Sequence, residues 1–167
     1  MAGQTKLRAD CVHPRLQEGE MPQPEELRWE VLEHTADIGI VAYGRDLSEL
    51  FAAAATGLSA LMVDLSTVQE RLARVIEVPA TIPGDLAGLL VDWLSELVYL
   101  FDAEHLIFRR FEVERVSDEG VRATAFGEPV DPQRHVLGTG IKAVTYHALE
   151  VAQQPDGTWR AQVIFDV

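Results

Sequence analysis

The residues with the clearest chemical potential are carboxylates near strand ends. Asp37 closes the run His34-Thr35-Ala36-Asp37, which joins two short strand-like stretches, and Asp166 is the penultimate residue. Asp166 interrupts the apolar run Val163-Ile164-Phe165, and its neighbour Val167 adds the oxygens of an α-carboxylate. Oxygen donors of this kind suit hard cations such as Ca²⁺, Mg²⁺ or Mn²⁺. Each acid also has an ordinary reading. Asp37 serves equally as a turn residue bonding nearby backbone N–H groups, and Asp166 as part of a solvated chain end. His34 reads as a residue that orients the turn. Asp102, just beyond a long apolar helix, is a further isolated acid.

Lys142, Thr145, Tyr146 and His147 form a second polar group, on a stretch that reads as one strand from Ile141 to Val151. Alternation along that strand sends Lys142 and Tyr146 to one face and Thr145 and His147 to the other, so all four cannot serve one active site. Three familiar catalytic signatures fail on context. Gly138-Thr139-Gly140-Ile141-Lys142-Ala143 fits a dinucleotide fingerprint, but a strand pattern follows where a helix is needed. Ser59 lacks the second glycine of a nucleophile elbow and lies in a helical stretch. No two histidines have the helical spacing of a zinc hydrolase.

The 167 residues carry a net charge of −13, which argues against strong direct binding to a nucleic-acid backbone. The charge is compatible with a basic protein partner or with carboxylates around a cation. Cys11 is the single cysteine, so neither a disulfide framework nor a thiolate metal site is expected. No apolar run has membrane-spanning length and no signal-peptide pattern opens the chain, so a cytoplasmic protein without membrane attachment is expected.

The elements that must position these residues follow from periodicity. Residues 1–27, with Pro14, Pro22 and Pro24, read as a flexible N-terminal extension, and residues 28–167 as one folded domain. Two strands flank Asp37. Asp46 and Glu49 have capping-box spacing before a helix with one apolar face that stops near Val63-Asp64. A strand from Leu72 ends at Pro79. Asp85 then caps a helix to Phe101 that is apolar over most of its circumference and so is expected to be buried on more than one side. Alternation around Phe111 to Val113 and Val121 to Ala125 predicts strands, and Gly127-Glu128-Pro129 reads as part of a loop. A hairpin closes the chain, turning at Gln154-Pro155-Asp156-Gly157. The expected fold is α+β, a two-layer sandwich with two helices on one face of a mixed, mostly antiparallel β-sheet.

The order and spacing of these landmarks resemble the archease family over Trp29 to Val167. The landmarks are His34-Thr35-Ala36-Asp37, the helix ending Met62-Val63-Asp64, Trp93-Leu94 leading to Phe101-Asp102, Gly127-Glu128-Pro129, Lys142-Ala143-Val144-Thr145-Tyr146-His147 and Ile164-Phe165-Asp166-Val167. The family usually ends in Asp-Ile, and Val167 keeps the β-branched side chain there. The resemblance implies an accessory protein of the GTP-dependent RNA ligase of tRNA splicing and RNA repair, not an enzyme. It implies promotion of ligase guanylylation and multiple turnover. It places a divalent cation on Asp37, Asp166 and the Val167 α-carboxylate, and it offers His34, Lys142 and Tyr146 as partner-binding residues. A chaperone-like module assisting a tRNA methyltransferase is the alternative role. A free-standing hydrolase is disfavoured, because no nucleophile or general base accompanies the acids.

Overall fold

The structure is a computed structural model that describes residues 26–33 and 37–167; the N-terminal extension through residue 25 and the segment 34–36 lie outside the described residues. The order is β1 (Arg28–Glu33), β2 (Ile38–Gly44), α1 (Leu47–Met62), β3 (Leu72–Pro79), α2 (Leu86–Glu104), β4 (Leu106–Ser117), β5 (Gly120–Pro129), β6 (Ala143–Val144), β7 (Glu150–Gln153) and β8 (Trp159–Asp166).

Both helices begin where their aspartates predict. Asp46 accepts the Glu49 N–H at 2.8 Å and Asp85 accepts that of Gly88 at 3.0 Å, each satisfying a first-turn donor that has no intrahelical partner. Only half of the capping box forms, because the Glu49 carboxylate accepts from Arg45 Nε at 2.8 Å. α2 continues past Phe101 to Glu104, until His105 turns left-handed (φ 54°) and its N–H returns to the Leu100 carbonyl.

The α+β class is as expected, but the strands divide into two sheets, and every pairing between them is antiparallel. One sheet has the order β1-β2-β8-β6 with β7 also on β8; the other is β3-β5-β4. The reason lies in α1. Its alanine run, Ala52 to Ala55, is entirely buried, as are Leu50, Phe51, Thr56, Gly57 and Leu58. A helix buried all round needs cover on more than one side. α1 packs against β2 of the first sheet and β4 of the second. α2 likewise meets α1 and strands of both sheets, so its expected burial on more than one side holds. α2 leaves Tyr99 and Asp102 exposed. Trp93 joins the layers, donating its indole N–H to the Phe51 carbonyl at 3.1 Å and meeting Phe111 edge-on at 6.0 Å between ring centroids.

Two further local expectations are corrected. Gly127-Glu128-Pro129 completes β5 instead of forming a loop, since Gly127 and Glu128 pair with β4. The stretch from Ile141 to Val151 is not one strand. β6 ends at Val144, the chain turns through Tyr146 to Leu149 with Ala148 at φ 50°, and β7 resumes at Glu150. The expected hairpin is β7–β8, with Gly157 at φ 90° in its turn.

Candidate metal centre

The acids of interest meet at the end of β8. On one side β2 pairs with it through Ile38–Phe165, and on the other β6 pairs Ala143 with Asp166. The β2–β8 pairing stops at Ile38–Phe165, so Asp37 and Asp166 each adjoin that last pair. Phe165 is fully buried and Ile38 packs on the core, so the two aspartates belong to the opposite, outward face. Asp166 is exposed and Asp37 half-buried.

Gly39 makes this register possible. It sits across from Ile164, and a Cβ at position 39 would stand 2.5 Å from the Val163 carbonyl oxygen and 2.7 Å from Ile164 Cδ1. On the other flank the Lys142 N–H donates to the Asp166 carbonyl at 2.8 Å, which sets Lys142 beside Val167. The fold thus gathers Asp37, Asp166, Val167 and Lys142 at one strand end. His34 lies outside the described residues.

Among the described residues, neither Asp37 nor Asp166 has a side-chain hydrogen bond or an ion pair. Their carboxylate oxygens are donors of the type that suits a hard divalent ion, with Lys142 directly preceding the neighbouring strand β6. Among the described residues, no three His, Cys, Asp or Glu side chains gather into such a site.

Tyr146 stands off the ladder. Residues 145–149 bulge out between β6 and β7, opposite only Val163 and Ile164 of β8. Thr145 anchors the bulge by donating both its N–H and its hydroxyl to the Ile164 carbonyl, at 3.1 and 2.9 Å. Tyr146 projects from it, 67% exposed. The strict alternation expected for Lys142 to His147 therefore does not apply, because the strand ends at Val144.

A second polar cluster carried no signal as a group in the sequence. Glu128 is 1% exposed, on the sheet face that the segments around Gln69 and Arg134 cover. Its carboxylate accepts from the Gln69 N–H and pairs with Arg134, whose Nη1 reaches Oε2 at 3.2 Å. Arg71 Nε lies 3.9 Å away. His135, also buried, accepts the Asp131 N–H on Nδ1 at 2.8 Å, so the proton of the neutral ring sits on Nε2, 3.5 Å from Glu128 Oε2. Burial holds the His135 pKa below its usual value; Arg134 and Arg71 push the same way and Asp131 opposes. The cluster pins the 131–139 loop, which is also strapped to the end of α1 by Asp64 N–H to Val136 O and Gly138 N–H to Met62 O, both 2.8 Å. The available sequence signal was the alternation Val121, Ala123, Ala125, which continues to Gly127 and places Glu128 on a strand.

Comparison with known proteins gives a consistent relationship. Residues 29–167 match the model of the Archease protein family. Protein archease of Methanosarcina acetivorans is 45% identical over 144 residues, 84% of this chain and 96% of the relative. Protein archease of Pyrococcus abyssi is 41% identical over 143 residues, 84% of this chain and 99% of the relative. The solution structure of Methanobacterium thermoautotrophicum protein 1598 superposes with a TM-score of 0.70 at 37% identity, covering 83% of this chain and 98% of that one.

Proposed function

This chain belongs to the archease family, and we propose that it acts as a non-enzymatic activator of a GTP-dependent RNA ligase in tRNA splicing or RNA repair. The observation that supports the reading is the β2–β8 pairing, whose last pair, Ile38–Phe165, is adjoined by Asp37 on one side and Asp166 on the other. In this reading Asp37, Asp166 and the Val167 α-carboxylate hold a divalent cation. Such an ion, when bound, supplies positive charge to phosphate oxygens.

The chain's own residues do the rest. Gly39 keeps the two strands close at the end where the acids lie. The Lys142 N–H fixes the end of β8 through the Asp166 carbonyl. Lys142 and Tyr146, both exposed, form the rim that meets the ligase. The net charge of −13 suits steering toward a basic, RNA-binding partner and disfavours strong direct binding to RNA.

The test is ligase guanylylation with and without this protein, titrated with Mn²⁺ and Mg²⁺. Stimulation is expected from the wild-type chain and should be lost in Asp37→Ala and Asp166→Ala while both remain folded. One residue added after Val167 should weaken stimulation without altering any side chain. Full stimulation by either aspartate variant would sink the metal-tip mechanism. Absence of any stimulation, with co-purification of a tRNA methyltransferase, would favour the chaperone-like role instead.

A further inference from the structure

A groove of about 500 Å³ that includes none of the residues of the tip is lined by Trp29, Ala60, Val63, Asp64, Val136 and Leu137. Its outer wall is unusual for a surface loop. Val136 is 59% exposed and Leu137 47% exposed, although the loop that carries them is pinned at both ends. Gly138 and Thr139 donate to the Met62 and Leu61 carbonyls, and Arg134 is held by buried Glu128. Two aliphatic side chains are therefore kept in solvent by a fixed backbone. Exposed apolar surface bordered by a polar rim marks a place where something docks.

We propose that the occupant is the chain's own N-terminal segment, with residues 7–16 lying along the groove. The segment enters the fold at the right place: Leu27 is buried in the core, and Trp29, two residues later, lines the groove. β1, which carries Trp29, is the edge strand of its sheet, pairing only with β2 among the described residues. Residues 17–25 contain Gly19, Pro22 and Pro24, the residue types of a chain reversal, and are long enough to bring the preceding residues back beside Trp29. Leu7, Val12 and Leu16 provide apolar side chains for Val136 and Leu137. Residues 1–16 carry Lys6, Arg8 and Arg15 against Asp10 alone, whereas the chain as a whole stands at −13 and Asp64 sits at the groove. Charge thus favours this segment on this surface.

The single cysteine, Cys11, lies in the middle of the proposed occupant and takes a nitroxide without mutation. In the full chain the label should selectively broaden the amide resonances of Val136, Leu137 and Gly138, compared with the same sample after ascorbate reduction. The exposed Tyr99 of α2 should broaden much less. Leu137→Asp, at a half-exposed site that tolerates the change in folding, should abolish the selective broadening. Equal broadening over the surface would overturn the proposal and leave the groove to a partner. Broadening seen only when spin-labelled and isotope-labelled chains are mixed would overturn it in favour of a second copy's segment. Unchanged broadening in folded Leu137→Asp would also overturn it.

Discussion

Gly39 lies directly across from Ile164, and the Ile164 side chain occupies the space where a Cβ at position 39 would point. The nearest obstacle to that Cβ is the Val163 carbonyl oxygen, which is backbone and cannot rotate aside. Gly39→Ala is therefore expected to push β2 from β8 and to cost about 1–3 kcal/mol of stability, as overpacking does. It should also weaken divalent-cation binding, because Asp37 directly precedes the displaced strand. Trimming Ile164 to Val relieves only the side-chain contact and should not restore binding. Urea unfolding and calorimetric titration with Mn²⁺ measure the two effects separately.

A cation that binds only the folded chain must stabilise it. At a hundred times its dissociation constant the gain is about 2.7 kcal/mol. Adding Mn²⁺ or Ca²⁺ should raise the unfolding midpoint, and chelation should reverse the rise. Asp166→Asn should be insensitive to either treatment. Because that variant relieves the repulsion between Asp37 and Asp166, it should match or exceed the metal-free wild type in stability.

Glu128 and Arg134 should respond unequally to mutation. Glu128 is 1% exposed, while the Arg134 side chain is a third exposed and can turn toward water. Arg134→Ala leaves a buried carboxylate with only the Gln69 N–H and the looser Arg71 pair at 3.9 Å, so a loss of about 3–5 kcal/mol is expected. Glu128→Gln, which keeps the Gln69 acceptor, should cost less. Denaturant unfolding of the two variants tests the order.

His135 gives the stability a pH dependence of known sign. Its folded pKa is lowered, mainly by burial, from the ordinary value of 6.5. Above about 6.5 both folded and unfolded rings are neutral and the contribution is complete. As pH falls below that value the unfolded ring takes up a proton that the folded ring refuses, so stability falls until the folded pKa is passed. Protonation also sets a donor against the Asp131 N–H, which now bonds Nδ1. His135→Gln should flatten stability between pH 6.5 and 5, measured as the difference from wild type across that range.

The helices were legible because their signals are local. Asp46 and Asp85 cap within three residues, and the apolar spacing of α1 is complete in its own stretch. The division into two sheets was not legible, because β2 finds its partner in β8, at the far end of the chain, and no local pattern encodes that choice. The same distance hid the relation of Asp37 to Asp166, which came from family resemblance alone; the two acids adjoin the last β2–β8 pair, Ile38–Phe165. Glu128 misled for a different reason. A charged residue between Gly and Pro reads as surface, and it is Arg134, Arg71 and the Gln69 N–H, brought from elsewhere, that offset its burial. Ala148 broke the predicted strand with a backbone turn that its side chain does not announce.

The position of β8 also bears on the order in which the molecule can be assembled. The β3-β5-β4 sheet is complete once Pro129 has been made. The other sheet cannot be, since its central strand is the last one synthesised, and β2 must wait for it with one edge open. Pairings so distant along the chain form slowly. The candidate cation site thus forms only after β8 has paired with β2.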